Sequence, residues 1–553
     1  MVDSMNVSLI KRAQRDIWIM IIPLITIYPI ISVTRGNFSL NAIHHDKRLQ
    51  FNIPGKVVDT RDNLESVLSI THHDPSKAQE GLTIFTIWRI THHAPELHLI
   101  DAMIVITDME GNVEEMLTFP IEDKPELGIL PMDPEFIDST TFVCILGPNL
   151  ILFNNQIEVT EVLPIPSGHH DVEYNPITDT FLTVHFTQYG YFQDEPLLFD
   201  DIREYNRFGA EVWYWNSSDH IPFNKTYFTK EMFYNTYQWT HANTIFWDIE
   251  DHAIYYNCRH LDTFYKIDYP SGEILWAAGK MGNLKLFDIR GKAKESLFYH
   301  SHAVEVIGPN RFIIFDNDYF NTTRDNPQEA QGISRILEVI VNEETMTMNE
   351  TWSWSGPSEY FGDVWGDADR LPNGNRLGTF GVPTHPAYIT EVNPEGTIVW
   401  ELALEQEIWD YLGIYNADRF FEAPLIEINQ TDYTQTEDKD LEIQVRTWDT
   451  FDTRLTREGL LTITEGREVI ESVDFTFSPH WQETIVNASV SCTGEGERTL
   501  VLTITNEDDL STSVTITING GVTTQPVVGW LFIPIFSGMI AITAVKKKKK
   551  AVF

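Results

Sequence analysis

Four stretches of the chain gather side chains able to handle a negatively charged group: SGHHDVEYNP with His169 and His170, WTHANTIFWD with His241 and Asn243, YYNCRHLDTFYKID with Arg259, and FYHSHAVEV with His300 and His302. An imidazole can attack, donate or carry a proton near neutral pH, and a guanidinium offers a planar fork of donors to anionic oxygens. A single histidine beside a strand is in most proteins a satisfied or surface residue. The doublets His44-His45, His72-His73 and His92-His93 show that a histidine pair alone carries little. Three or four imidazoles could hold Zn²⁺, but neither HExxH nor CxxC occurs, and Arg259 would oppose a bound cation. No metal or other cofactor is expected.

Each of the four stretches joins its His or Arg to a strand-like run, so the elements that must bring them together are strands. One pattern recurs: an Asp or Asn, a turn with Gly, a β-branched residue and usually Trp. It appears as DMEGNV (Asp108 to Val113), NRFGAEVW (Asn206 to Trp213), DYPSGEILW (Asp268 to Trp276) and NPEGTIVW (Asn393 to Trp400), with a degenerate copy from Asn342 to Trp352. These are polar hairpin turns, with Gly tolerating positive φ, followed by alternating strands whose Trp can fill a core. Their spacing fits units of about 50 to 60 residues, the size of a four-stranded propeller blade with loops. We expect an all-β chain whose residues 35–422 form a propeller of about six blades. Loops at one end of its central channel would let distant residues meet. From about Ala423 the runs shorten and alternate at sandwich spacing, predicting an immunoglobulin-like β-sandwich over 423–522 with a spacer or adhesive role.

The chain of 553 residues carries 39 Lys+Arg against 81 Asp+Glu, a formal charge of −42. Such an anion, with no segregated basic face, repels phosphate and excludes a nucleic-acid binder working by bulk electrostatics. With 42% hydrophobic and 12% aromatic residues there is material for buried cores, and disorder is excluded. Three cysteines allow at most one bridge, so disulfides do not define the fold. Residues 1–34 read as a signal peptide or signal anchor. Val527 to Val545 is an uncharged run followed by Lys546 to Lys550, which predicts a transmembrane helix over 527–545 and a cytoplasmic Lys-rich tail over 546–553. The middle segment would then be extracellular at the cell membrane. Sequons at Asn37, Asn216, Asn224, Asn321, Asn349, Asn429 and Asn487 suit an exported glycoprotein.

The order of the motifs resembles the arylsulfotransferases of the ASST type, which do not use the nucleotide sulfate donor PAPS. The resemblance is carried by His170, Asp171, Asn175 and Leu182; by His241, Asn243, Asp251, Ile254 and Arg259; and by Lys266 to Asp268 with Gly272 to Trp276. It continues through His302 with Phe315 to Asn317 and through Gly366 to Gly381. It implies a six-bladed propeller and ping-pong transfer of a sulfuryl group from a small aryl sulfate to a phenolic acceptor through a sulfohistidine. By the same resemblance His302 is the nucleophile, with Arg259, His241 and His170 on the sulfuryl oxygens and one histidine protonating the departing phenolate. His169, Asn243 and His300 would bind substrate. His169 remains an alternative to His170, since in a regular strand the two face opposite sides, and His300 an alternative to His302. The competing reading is a non-catalytic cell-surface propeller that binds carbohydrate or protein, in which the four positions need not converge.

Overall fold

The computed structural model describes residues 64–519, apart from 94–95, 121–131, 147–148, 167, 226–231, 234–235, 320–331, 382–385, 406–409, 435–439 and 492–496. The segments expected to form a signal (1–34) and a membrane helix (527–545) lie outside the described residues. Among the described residues no helix is long and apolar enough to cross a membrane.

The described chain is all-β. Six antiparallel sheets each begin with an inner strand: Asp410–Phe420 in the first blade, Met132–Asp138, His169–Asn175, Ala242–Asp248, His302–Gly308, and Asp367–Arg370 in the sixth. Neighbouring inner strands contact one another in a closed ring around a central channel. The ring is closed from both ends of the chain. Asp410–Phe420 pairs with Leu82–His93 to complete the first blade, while Leu68–His73 pairs with Ile398–Leu404 at the outer edge of the sixth. Apolar faces pack between blades: Phe246, Tyr255, Phe264 and Trp276 of the fourth share one buried cluster with Val304, Phe312 and Ile314 of the fifth.

The recurring turn has a function in this ring. The sequence assigns each Trp of the pattern to a core, and the structure adds a bond to it. The indole Nε1–H of each reaches the turn of the following blade: Trp213 to Pro270 O at 2.8 Å, Trp276 to Glu343 Oε1 at 2.8 Å, Trp352 to Pro394 O at 3.0 Å and Trp400 to Met109 O at 2.8 Å. Trp215 and Trp354, on the same edge strands, add bonds to Gly272 O and Gly396 O. Trp215, Trp276 and Trp400 are buried and Trp213, Trp352 and Trp354 half-buried, and each has its polar tip satisfied while its ring packs at a blade boundary.

Beyond the propeller two sheets face each other. One holds Leu425–Ile428, Leu441–Trp448 and Thr484–Val490; the other holds Asp432–Thr434, Ser511–Asn519, Arg498–Asn506, Arg457–Glu465 and Glu468–Phe477. The first strand is split between the sheets, and its second half runs parallel to Ser511–Asn519. Thr484–Val490 alternates strictly between buried and exposed, as a strand with one core face must. One loop of this sandwich enters the propeller. Arg454 lies among the channel residues, 3.2 Å from Glu135 and 3.2 Å from Glu173, with its guanidinium 4.2 Å from the ring centre of Phe246.

Candidate active site

A backbone device repeats where the inner strands begin. Asp133, His170, His241 and Ala303 all have positive φ, between 44° and 68°, as do Trp365 at 59° and Gly366 at 114°. For a residue with a side chain this conformation is costly and is held only by its surroundings. Its effect is to break strand alternation where the three histidine-bearing segments reach the channel. At His169 and His170 a regular strand would send the rings to opposite faces; instead their Nδ1 atoms lie 2.5 Å apart. His170 lines the channel cavity, while His169 is buried, stacked on Phe186 with centroids 3.7 Å apart and its Nε2 3.2 Å from Asp200. That approach to Asp200 is close but off the hydrogen-bond axis.

His170, His241, Arg259 and His302 are brought together. The rings of His170 and His241 have centroids 5.3 Å apart. Arg259, 3% exposed, sits in a tight turn whose backbone N–H donates to His241 O at 3.1 Å, and its Nη2 donates to Asp363 O at 2.9 Å. Its charge reaches all three imidazoles. Burial and then Arg259 push His302 down to about 3, with the Asn317 hydrogen bond opposing them. Burial is likewise the main cause holding His241 and His170 well below the ordinary imidazole range, followed by His260 and Arg259 for the former and by His169, His302 and Arg259 for the latter. All three rings are therefore neutral at neutral pH.

His302 has a defined tautomer. Asn317 Nδ2 donates to Gly362 O at 2.9 Å and to Trp365 O at 2.8 Å, which fixes the amide so that its Oδ1 faces the ring. That oxygen can only accept, so Nδ1 of His302, 2.7 Å away, carries the proton and Nε2 carries the lone pair. The segment before it is braced from the fourth blade. Asn243 and Asn257 both donate to Ser301 O at 2.9 Å, and Asn257 also donates to Asn243 Oδ1 at 2.7 Å. His300 is fully buried, with its Nδ1 3.0 Å from Asp262 Oδ1, which also accepts its backbone N–H. Of the two residues expected on substrate, Asn243 lines the cavity and bonds the loop that carries His302, while His300, on that loop, is tied back to Asp262.

The arrangement is a buried cluster of three neutral imidazoles and one guanidinium, with His170 and His302 facing the channel cavity. The model of the family described as Arylsulfotransferase (ASST) matches residues 149–439, from the second blade to the start of the sandwich. The chain belongs to the arylsulfotransferase family. It is therefore a sulfotransferase of the aryl-sulfate type, with an aryl sulfate as donor and a phenol as acceptor. No curated protein matches this arylsulfotransferase. Solved structures similar to it include the periplasmic gluconolactonase PpgL of Pseudomonas aeruginosa, at 7% identity and a TM-score of 0.29, covering 74% of this chain and 100% of that one. Another is the hydrazine synthase of Kuenenia stuttgartiensis, at 9% identity and a TM-score of 0.27, covering 60% and 80%.

Sequence reasoning missed several residues that hold this arylsulfotransferase's site. Asp200 accepts from Ala242 N–H at 2.9 Å and from Thr240, fixing the start of the fourth inner strand. Gln238 Oε1 bonds Nδ1 of His241. Asn317 was visible only as the last letter of FDN. Tyr415 was unmarked; its ring lies 6.3 Å from His170 and stacks on Trp88 at 5.1 Å, with Trp365 edge-on to Trp88 at 4.9 Å.

Proposed function

We propose that this protein moves a sulfuryl group from an aryl sulfate to a phenol by a ping-pong route through Nε2 of His302. The observation that carries the reading is the Asn317-fixed tautomer, which leaves a lone pair on a buried nitrogen within the field of Arg259. Nε2 attacks sulfur, the N–S bond forms as the S–O(aryl) bond breaks, and the electron pair departs on the phenolate oxygen. The acceptor phenol then gives up its proton and attacks the same sulfur, and the N–S bond electrons return to His302. Sulfuryl transfer resembles phosphoryl transfer in keeping negative charge on the peripheral oxygens, so fixed donors are the main catalytic need. Arg259 fills that role, with His170 beside it. His241, with its Nδ1–H held by Gln238, presents a bare Nε2 that takes the proton of the acceptor phenol in the second half-reaction, while the donor's leaving group departs as the phenolate. A bound anionic ester offsets the charge of Arg259 and so raises the affinity of these rings for that proton. The aromatic wall of Tyr415, Trp88 and Trp365 is the surface we assign to the aryl group.

His169, Asn243, His300 and Asn317 are in this reading positioning residues. We place the catalytic domain outside the cell, anchored by residues 527–545; this rests on the apolar run and the lysines that follow it. The test of the function is transfer itself. The purified chain given 4-nitrophenyl sulfate and phenol is expected to release nitrophenol and form phenyl sulfate, and His302→Ala to do neither. Equal turnover by His302→Ala would sink the proposal.

A further inference from the structure

Along the channel the inner strands change from imidazoles to carboxylates. Glu305 stands three residues after His302 on His302–Gly308, and Asp367 and Asp369 stand on the neighbouring Asp367–Arg370. Asp367 and Asp369 are two apart in a strand and so share a face, while Ala368 between them is buried in the apolar cluster of Phe315 and Phe380. One oxygen from each of the three carboxylates lies within 4.8 Å of the others. They line a cavity of about 60 Å³ in the channel.

Two arginines, Arg454 and Arg419, line the same cavity. Arg454 pairs with Glu135, Glu173 and Asp452, and Arg419 with Glu391. No Lys or Arg forms an ion pair with Glu305, Asp367 or Asp369 among the described residues. Asp367 accepts from the backbone N–H groups of Ala368 at 2.9 Å and Ala417 at 3.2 Å. Asp369 is 8% exposed, and its Oδ2 is buried without a hydrogen-bond partner. An ionised carboxylate in that state costs several kcal/mol unless a cation or a proton joins it.

We propose that Glu305, Asp367 and Asp369 form a binding site for a divalent cation, calcium by preference, in the propeller channel. Three oxygens within 4.8 Å of one another can all touch one ion, since Ca²⁺ holds oxygen ligands at roughly 2.3 to 2.6 Å. An all-oxygen donor set selects a hard cation, and an irregular set from two strands suits Ca²⁺ better than the strict octahedron of Mg²⁺. The cavity leaves room for water to complete the shell. Because Glu305 and His302 share a strand, the ion also braces the strand that carries the nucleophile. No metal motif in the sequence announces this site, because its ligands come from two blades about 60 residues apart.

The full chain, equilibrated with CaCl₂ and desalted in the presence of NaCl, is expected to retain one calcium per chain by elemental analysis. Its thermal midpoint should rise with CaCl₂ and fall with EDTA. Asp369→Asn and Glu305→Gln should lose both the retained ion and the calcium-dependent shift, while Glu468→Gln, at an exposed carboxylate of the sandwich, should keep them. No retained ion in the unmodified chain, or an equal loss in all three variants, would overturn the proposal. Elemental analysis of the unmodified chain decides the matter should the channel variants fail to fold.

Discussion

At the scale of single residues the site depends on which nitrogen of His302 is bare and on how low its basicity is held. Asn317→Leu removes the acceptor that fixes the tautomer. By analogy with tautomer control in hydrolytic triads, kcat should fall by roughly 10² to 10⁴ with little change in KM. The pH dependence has a definite sign. A histidine pushed down to about 3 stays neutral, and so competent to attack, as pH falls well below the ordinary imidazole range. With a donor such as 4-nitrophenyl sulfate, whose leaving group needs no proton, kcat/KM should stay flat from about pH 5 to pH 8. An acid limb near the ordinary imidazole pKa would contradict this. Arg259→Gln removes the second-largest cause of the depression, so an acid limb should move upward, and the lost oxygen donor should cost about 2.7 to 4 kcal/mol in kcat/KM. The histidines and Arg259 were legible because rare side chains at three strand starts and one strand end stand out. Asp200, Gln238 and Asp262 were not, because a turn Asp or a strand Gln looks the same whether it braces a catalytic loop or faces water.

At the scale of elements, the blade boundary and the left-handed strand start are the two devices that position the site. The Gly-turn and Trp pattern was readable as repeated hairpins, which was enough for an all-β chain. That each indole bonds the next blade's turn was hidden, since the partner lies about 40 to 70 residues downstream, or across the ring closure for Trp400. Trp215→Phe loses the bond to Gly272 O together with part of the buried indole, and should cost about 1 to 3 kcal/mol in denaturant unfolding. Gly366 has a sharper requirement. At φ 114° a Cβ would fall 2.2 Å from Cε1 of Phe315, on the strand leading to Asn317. Gly366→Ala should therefore destabilise by about 1 to 3 kcal/mol through strain and overpacking, and should lower kcat beyond what stability explains by displacing Asn317. Unchanged stability and activity in Gly366→Ala would show that this contact does not set the position of Asn317.

At the scale of the whole molecule, the sandwich is part of the propeller's stability. Its sequence supported a spacer or adhesive module, since alternating strands say nothing about what a loop touches. The structure instead sets Arg454 in the channel against Glu135 and Glu173, and bonds Thr450 to Ser139 at 2.7 Å. Removing one partner of a buried pair leaves the others uncompensated, so Arg454→Ala should destabilise by about 3 to 5 kcal/mol. Thermal unfolding should show the sandwich and propeller losing structure together in the unmodified chain. The acidic channel was equally hidden: its carboxylates come one or two at a time from five of the six inner strands, and in sequence they vanish into a chain already rich in Asp and Glu.

The account stands most directly on where the sulfuryl group resides between donor and acceptor. The chain should be mixed with excess 4-nitrophenyl sulfate and no acceptor, quenched at alkaline pH, and mapped by peptide mass spectrometry. A burst of one nitrophenol per chain, with one added SO₃ on the peptide bearing His302 and none in His302→Ala, is the predicted result. An SO₃ carried by another residue, or steady turnover in His302→Ala, would contradict it.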